Sequence, residues 1–448
     1  MSTEFSLQRA QEKMAAAGAS DLAIRTMRHY FLEAAAGATG FVPESTIEPL
    51  EDVAALKDVA TLEDASPHTA AHREALDQTV ILKLNGGLGT SMGMDRAKSL
   101  LEVRDGKSFL DIIVQQVRSA RERYGARLPL IFMNSFRTRA DTLERVPSDI
   151  VVDDLPLDFI QGMQPKLAAD TLEPVEWPAN PELEWYPPGH GDIYTVLQER
   201  GIIRQLLEHG YRYMATSNAD NLGAYPSAEL AAWFAESGAP FAMEVAARTK
   251  ADNKGGHLAR RRSDGRIVLR EVAQTPASDM DAFTDETKHR FFNTNNLWFN
   301  LGALAQLLEE GDGIAGLPLI VNHKTVDPAD PTSSPVVHLE TAMGAIIEQF
   351  DGAQAILVPR SRFLPVKNTA DLFLVRSDAF DFGDDGAARV AMDPLPSIDL
   401  DPTYFRNIAD FDERVGAIPS VRELESLTVR GDVRIDPGMH LAGHVRLP

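Results

Sequence analysis

From residue 79 to about 378, short apolar runs alternate with amphipathic stretches that stop at glycine, and this alternation restricts the architecture more than any other feature of the chain. "TVILKL" (79–84) reads as a strand buried on both faces. "SFLDIIVQQVRSARERYG" (108–125) reads as a helix, with Ser108 and Asp111 at capping-box spacing and Gly125 as its stop. "LPLIFMNS" is the next strand, and "GDIYTVLQERGIIRQLLEHG" a helix closed by Gly210. "YRYMATSNAD" is a strand running into an acid, "SAELAAWFAESG" a helix, and "PFAMEVAAR" a strand. Such alternation predicts a doubly wound, mostly parallel sheet. One stretch breaks it: in "GHLARRRSDGRIVLREVAQ" two strand-like runs flank Asp264-Gly265, which predicts a hairpin inserted at the rim of a site. "FFNTNNLWFNL", "HLETAMGAIIEQF" and "AILVPRSRFLPV" resume the α/β pattern.

The two ends read differently. Residues 1–75 hold two helical patterns that stop at glycine, then a connector punctuated by proline and acids. Residues 76–378 form the expected catalytic domain, and 379–448 a separate C-terminal domain. In that tail "VRGDVRI" (429–435) and "LAGHVRL" (441–447) align at an offset of twelve, which predicts coils of a small β-helix or a β-meander, with a plain hairpin as the equal alternative.

Composition narrows the function classes. The 448 residues include no cysteine, so disulfides, zinc–thiolate sites, iron–sulfur clusters and thiol catalysis are excluded. No apolar run is long enough to span a membrane, and the N-terminus lacks the apolar core of a signal peptide, so a cytoplasmic protein is expected. The net charge of −22 argues against nucleic acid and anionic membranes as partners. Any phosphate must be held by a few placed cations and by backbone N–H groups.

The segment "LNGGLGTSMGMDRAKS" (84–99) offers such groups, because glycine permits a backbone cradle around a phosphate. Its spacing fails the P-loop pattern, since Met94 follows Gly93 and Lys98 comes later. It also fails the dinucleotide fingerprint: Gly87 and Gly89 fit, but Gly93 is one place late. The glycines alone leave a structural tight turn open. Further candidates fall at strand C-terminal ends or on the loops beyond them, where α/β sheets collect ligands. Asp220, in "SNADNLG" (217–223), could hold Mg²⁺ already clothed by phosphates, or cap a turn. His190, in "WYPPGHGD" (185–192), sits between two glycines at a helix start. The amides of "FFNTNNLW" (291–298) either knit the fold or read sugar hydroxyls. Lys367 ends the run "SRFLPVK" and could equally snorkel at the surface.

Taken together, "KLNGGLGTSMGMDRAKS", "MNSF", "WYPPGHGD", "SNADNLGA", "KGG", "FFNTNNLW", "HLETAMGA" and "VPRSRFLPVK" resemble, in this order, the eukaryotic-type UTP–glucose-1-phosphate uridylyltransferases. The resemblance covers about residues 80–378, with a weaker match in the tail, and "LNGGLGT" points to the glucose 1-phosphate branch. It implies a Rossmann-like, GT-A-like nucleotidyltransferase fold with a doubly wound mixed sheet, an N-terminal helical segment and a small C-terminal β-helix. It implies UTP, glucose 1-phosphate, UDP-glucose and pyrophosphate as substrates and products, with Mg²⁺ as cofactor. On matching positions, Leu84, Asn85, Gly86 and Gly87 would bind the nucleotide, and Gln161 and Gly189 the uracil. Lys98 would face the departing pyrophosphate, Lys367 the α-phosphate, and Asp220 the metal, so that Lys98, Lys367 and Asp220 form the catalytic set. His190, Asn218, Gly256, Asn293, Asn295 and Glu340 would contact the sugar phosphate.

The departures carry expectations too. The proline that the family places before the late lysine is Ala97 here, which predicts a looser loop, and Arg96 stands two places before Lys98. A Ser-Arg pair after the uracil-binding glutamine is replaced by Gly162-Met163. A short tail predicts a monomer or dimer. Two other functions compete: a broader uridylyltransferase for galactose 1-phosphate or N-acetylhexosamine 1-phosphate, and a non-catalytic nucleotide-sugar sensor. The sensor predicts loss of the metal ligand or the phosphate lysines, and all three are present.

Overall fold

The computed structural model describes residues 3–51, 53–55, 70–249, 252 and 255–448. Part of the expected connector, residues 56–69, and the lysine of "KGG" lie outside the described residues. Eleven strands form the largest sheet. In chain order they are β1 (Ile47–Pro49), β2 (Ala54–Ala55), β3 (Thr79–Asn85), β4 (Leu130–Asn134), β5 (Asp158–Ile160), β6 (Tyr213–Asn218), β7 (Phe241–Ala247), β8 (His257–Arg261), β9 (Ile267–Arg270), β10 (Phe291–Asn300) and β11 (Gln354–Leu357). The main path runs β2-β11-β7-β10-β6-β3-β4-β5. β3 and β4 pair parallel, as do β7 with β11 and β11 with β2, whereas β7 and β10 pair antiparallel. The sheet is therefore mixed.

The expected hairpin is present: β8 and β9 pair antiparallel, and Gly265 takes φ +74° in the turn. It is part of the sheet, because His257 of β8 pairs with Phe292 of β10 and β1 pairs with β8. The single helix expected over 191–210 is two, Ile193–Glu199 and Ile202–Glu208. Gly201 takes φ +62° between them and ends the first as a left-handed cap.

The chain forms two compact units, each assembled from separate stretches. The first comprises Met1–Ala65, Phe159–Ala215 and Trp233–Val358. Its N-terminal helices, Thr3–Ala16 and Asp21–Ala35, bury Leu7, Met14, Met27 and Phe31 against Leu167, Leu319, Val337 and Leu339. Ser20 caps the second helix by accepting from the Ala23 N–H. The expected N-terminal stretch thus packs with the middle of the chain, and its connector contributes β1.

The second unit comprises Ser66–Asp158, Thr216–Ala232 and Pro359–Pro448. The helix Phe109–Tyr124 has the expected capping box, with Gly125 at φ +62°, and buries Phe109, Ile112, Ile113 and Val117. The C-terminal stretch stacks Ser397–Asp399, Glu423–Val429 and Ala442–Leu447 as consecutive parallel strands. Parallel neighbours need a full return of the chain, as in β-helix coils, so the hairpin alternative is excluded. The twelve-residue offset is not the coil period. Glu423 pairs with Ala442 and Leu427 with Val445, a separation of eighteen to nineteen residues with a bulge between.

A charge cluster anchors the N-terminal stretch of the first unit. Arg270 is fully buried and binds Glu44 Oε2 at 2.6 Å and Asp279 Oδ2 at 3.2 Å. His289 Nε2 lies 3.1 Å from Glu44 Oε1, and its ring stacks on His257 at 3.9 Å between centroids. Glu44 would keep Lys288 Nζ at 2.6 Å, but Arg270→Ala removes two ion-pair contacts and empties the space of a fully buried side chain. The substitution is expected to destabilise the protein by about 2–5 kcal/mol. Urea unfolding checks this: a midpoint no lower than that of a control at exposed Arg204 would show that the cluster does not hold the fold.

Candidate active site

In the second unit the glycine loop leaves β3 at Asn85 and is closed on itself. The Lys98 N–H donates to Gly87 O at 3.1 Å, Leu88 and Ala97 form an antiparallel bridge, and Gly93 turns at φ +73°. This closure explains the late lysine: ten intervening residues form a lasso that returns Lys98 to the point where the loop begins. The expected looseness at Ala97 is not observed. Its N–H donates to Asp141 Oδ2 at 2.8 Å, a bond that proline could not make, and the residue is fully buried.

Lys98 Nζ lies 2.7 Å from Asp220 Oδ2. Asp220 is held by its neighbours at both ends of its turn. The Ala219 N–H donates to Leu84 O at 2.9 Å, and Lys83, on β3, donates from Nζ to Ser217 Oγ and to Ala224 O, both at 2.8 Å. Gly223 is obligatory, since a Cβ there would lie 2.4 Å from Ser361 O. Asn221 knits this turn to the next segment, donating to Arg362 O and accepting from the Leu364 N–H. The Val366 N–H then donates to Asp220 O at 3.2 Å, which brings Lys367 beside Asp220.

Asp371 joins this group and was missed by the sequence reading. Its carboxylate accepts from the N–H groups of Lys367 and Asn368. Burial raises its pKa, against the pull of those N–H groups and of the Lys367 and Lys98 charges. The capping box Asn368-x-x-Asp371 was its only signal in the sequence.

The structure therefore brings Lys98, Asp220 and Lys367 together with the loop residues Gly86 and Gly87, and Asn218 ends β6 two residues before Asp220. The Asn85 side chain is buried and donates to Asn134 Oδ1 at 2.9 Å and to Thr142 Oγ1 at 2.8 Å, so it braces the parallel ends of β3 and β4. Leu84 O is likewise engaged by the Ala219 N–H. Arg96 is exposed at the outer edge of the lasso.

The first unit holds the remaining candidates. Gly189 takes φ +82°, and a Cβ there would lie 2.5 Å from Thr341 O; one on Gly191 would lie 2.3 Å from Thr341 Oγ1. Gly189 is thus fixed by a close backbone approach, and Gly191 by the Thr341 and Leu317 side chains. His190 Nδ1 accepts from the Met343 N–H at 2.8 Å, so the ring is neutral and carries its proton on Nε2. Although the residue is solvent-exposed, the protein around the ring disfavours imidazolium and lowers its pKa, more strongly than Glu340 raises it. Glu340 Oε2 accepts from Asn322 Nδ2 at 2.9 Å, and Oε1 lies 3.3 Å from His338 Nδ1.

The amides of "FFNTNNLW" divide between the two roles expected of them. Opposite the β7 register shift at Glu244/Val245, β10 bulges at Thr294-Asn295, and Asn295 takes φ +59°. The buried Glu244 carboxylate accepts from Asn296 Nδ2 and Trp298 Nε1, so Asn296 knits the fold. Asn293 Oδ1 accepts from the Asn295 N–H, and the Asn293 N–H donates to Gly256 O at 2.9 Å. Gly256 lies against the end of the Glu271 side chain: an added Cβ would sit 2.6 Å from the carboxylate, which would have to shift. Glu271 was also passed over in the sequence, and it sets an anionic acceptor against Gly256. Gln161 follows β5, and the next N–H, of Gly162, donates to Asp192 Oδ2 at 2.5 Å. Burial pushes the Asp192 carboxyl up to about 6.

A glycine lasso that returns a lysine to an acid at a strand end, on a mixed α/β sheet, marks the chain as an α/β protein built to hold a phosphorylated ligand. The family model described as UTP--glucose-1-phosphate uridylyltransferase matches residues 25–442. The chain belongs to the UTP–glucose-1-phosphate uridylyltransferase family. It is 41% identical to the enzyme of that name from Musa acuminata, over 84% of this chain and 79% of the relative. It is 40% identical to the Saccharomyces cerevisiae enzyme, over 83% and 74%. The UDP-glucose pyrophosphorylase of Leishmania major superimposes with a TM-score of 0.90 at 42% identity, covering 98% of this chain and 94% of that one. A variant of the Leishmania protein has been solved in complex with UDP-glucose.

The hydrogen bond from Met343 sets a testable state for His190. In ¹⁵N-detected spectra at pH 8 the ring is expected to show a protonated Nε2 and an unprotonated Nδ1, with a titration midpoint below the ordinary histidine value. A half-titration at or above pH 6.5, the ordinary histidine value, would contradict the assignment.

Proposed function

We propose that this chain transfers the uridylyl group of UTP to α-D-glucose 1-phosphate, giving UDP-glucose and pyrophosphate. The observation that carries the reading is the Lys98–Asp220 pair at the mouth of the glycine lasso, in a chain that shares the family's fold and about two-fifths of its residues. A phosphate oxygen of glucose 1-phosphate attacks the α-phosphorus of UTP. The bond to the β-phosphate breaks, and pyrophosphate leaves with the electron pair. The nucleophile is already an anion, so no protein base is required. The obstacles are repulsion between two polyanions and in-line alignment, and both are met by placement.

Each residue has a role in that scheme. The N–H groups at Gly86 and Gly87 line the nucleotide, while Asn85 and Leu84 shape the cradle behind them. Lys98 neutralises the β- and γ-phosphates as they depart, and Lys367 the α-phosphate. Gln161 and Gly189 hold uracil. Neutral His190 donates its Nε2–H to a phosphate oxygen without adding charge. Asn218, Gly256, Asn293, Asn295 and Glu340 have the role of sugar-phosphate contacts, with Glu271 as a further acceptor for a hydroxyl.

A divalent cation fits the donor chemistry at Asp220. The Lys98 ammonium already stands on that carboxylate, and among the described residues no group of three or more acidic or histidine side chains forms a complete metal cage. Such a position suits Mg²⁺, which keeps waters and phosphate oxygens as most of its ligands. When bound, the ion would offset charge on the reacting phosphates. No helix among the described residues is long and apolar enough to cross a membrane, which agrees with a cytoplasmic enzyme acting on soluble substrates.

Lys98→Ala is expected to lower turnover by about 10²-fold or more while leaving the circular dichroism spectrum and melting temperature near those of the parent. The measurement is pyrophosphate release from UTP with a panel of sugar 1-phosphates, with and without Mg²⁺. Absence of release with glucose 1-phosphate would refute the activity, and near-normal turnover of Lys98→Ala would refute the role of the lysine.

A further inference from the structure

Asp192 is a buried carboxylate that the transfer chemistry does not use. It lies two residues after His190 and three after Gly189, at the end of the "GHGD" turn. That turn is already pinned: the Gly191 N–H donates to Thr341 O at 2.9 Å, the Thr341 N–H donates to Pro188 O at 3.1 Å, and no side chain fits at Gly189 or Gly191. Asp192 is therefore attached to a rigid base. Its Oδ2 accepts from the Gly162 N–H at 2.5 Å. The carboxylate also packs on the Cα of Gly162, where an added Cβ would sit 3.0 Å from Oδ2 and 3.3 Å from Oδ1. Gln161 precedes this N–H directly. The peptide that fixes the direction of the Gln161 backbone is thus tied, through one buried carboxylate, to the turn carrying Gly189 and His190.

We propose that Asp192 is a positioning residue for base selection: it sets Gln161 relative to Gly189, so that both meet the uracil edge at once. This rests on the reading of Gln161 and Gly189 as the uracil-binding pair. A carboxylate suits the task because it needs no donor of its own and tolerates burial when a backbone N–H satisfies it. The physical consequence is a specific one. Loss of the tie frees Gln161 to rotate, which weakens recognition of the base without moving Lys98, Asp220 or Lys367. The cost then falls on KM for the nucleotide and on the preference for uridine over cytidine triphosphate, with kcat nearly unchanged.

The experiment compares kcat and KM for UTP and CTP in the parent, Asp192→Ala, Asp192→Asn, Gly162→Ala and Gln161→Ala, with glucose 1-phosphate saturating. Asp192→Ala is expected to reduce the UTP/CTP ratio of kcat/KM about tenfold, the scale of one buried hydrogen bond. Asp192→Asn keeps an acceptor oxygen and restores most of the ratio, which a role confined to charge or stability would not predict. Gly162→Ala pushes on the same contact from the other side and lowers the ratio in the same direction, so it decides the matter should Asp192→Ala not fold. If Gln161→Ala collapses the ratio while Asp192→Ala, or Gly162→Ala in its place, keeps the parental value, the positioning role is overturned and the uracil reading stands. If Gln161→Ala itself leaves the ratio unchanged, the uracil reading fails, and the positioning role with it.

Discussion

The ammonium of Lys83 makes the contacts on which the Asp220 turn of the second unit depends. The residue is a lysine inside a sheet, almost wholly shielded from water, with its ammonium on Ser217 Oγ and Ala224 O. An ammonium in such a place is costly unless its hydrogen bonds are well made. Here those bonds bracket the turn that carries Asp220, and the Ala219 N–H ties the same turn to Leu84 O on β3. The strand that launches the glycine lasso is therefore also the strand that holds the acid. Because the lasso returns to Gly87, Lys98 arrives where Asp220 is already fixed. A chain of net charge −22 has few cations to spare for phosphate, and this one places them by backbone closure.

The first unit uses a different device. Its glycine turns are held by close packing: Gly189 lies against the Thr341 backbone, Gly191 against the Thr341 and Leu317 side chains, and Gly256 against the Glu271 carboxylate. The His190 ring is then locked by the Met343 N–H in a neutral state with one defined donor. Such an imidazole can donate one hydrogen bond from Nε2 and carries no charge. The β10 bulge serves the same end. Buried Glu244 absorbs the polar groups of Asn296 and Trp298, which leaves the left-handed Asn295 and its neighbour Asn293 at the bulge itself.

Much of this was legible in the residues. The apolar runs marked β3, β4, β6 and β7, the capping box at Ser108 marked its helix, and Asp264-Gly265 marked a hairpin. The motif set was sufficient to place the family. Two features, at Asn85 and Ala97, were illegible because they depend on partners more than forty residues away in the chain. Asn85 was grouped with nucleotide-binding residues, yet its side chain is spent on Asn134 and Thr142. Ala97 suggested slackness until its N–H was found on Asp141. The helix break at Gly201 was a local signal that a strong apolar pattern masked. In the tail, matching letters at an offset of twelve concealed a coil of eighteen to nineteen residues, because side-chain repetition does not reveal where the chain turns.

By itself the sequence determined the alternating α/β plan, the exclusion of thiol chemistry, the glycine lasso and the residue types able to bind phosphate. Each of these is local, set by periodicity, by backbone freedom or by composition. Only the tertiary structure decided which side chains face the chemistry and which brace it: Lys98 on Asp220, Asn85 turned inward, Asp371 beside the two lysines and Asp192 on the Gly162 N–H. A polar residue at a strand end can serve a ligand or the fold with equal ease. The choice depends on what lies within about 3 Å of it, and that distance is set by packing between segments that stand 30 to 122 residues apart in the cases of Asp192, Asn85 and Lys98.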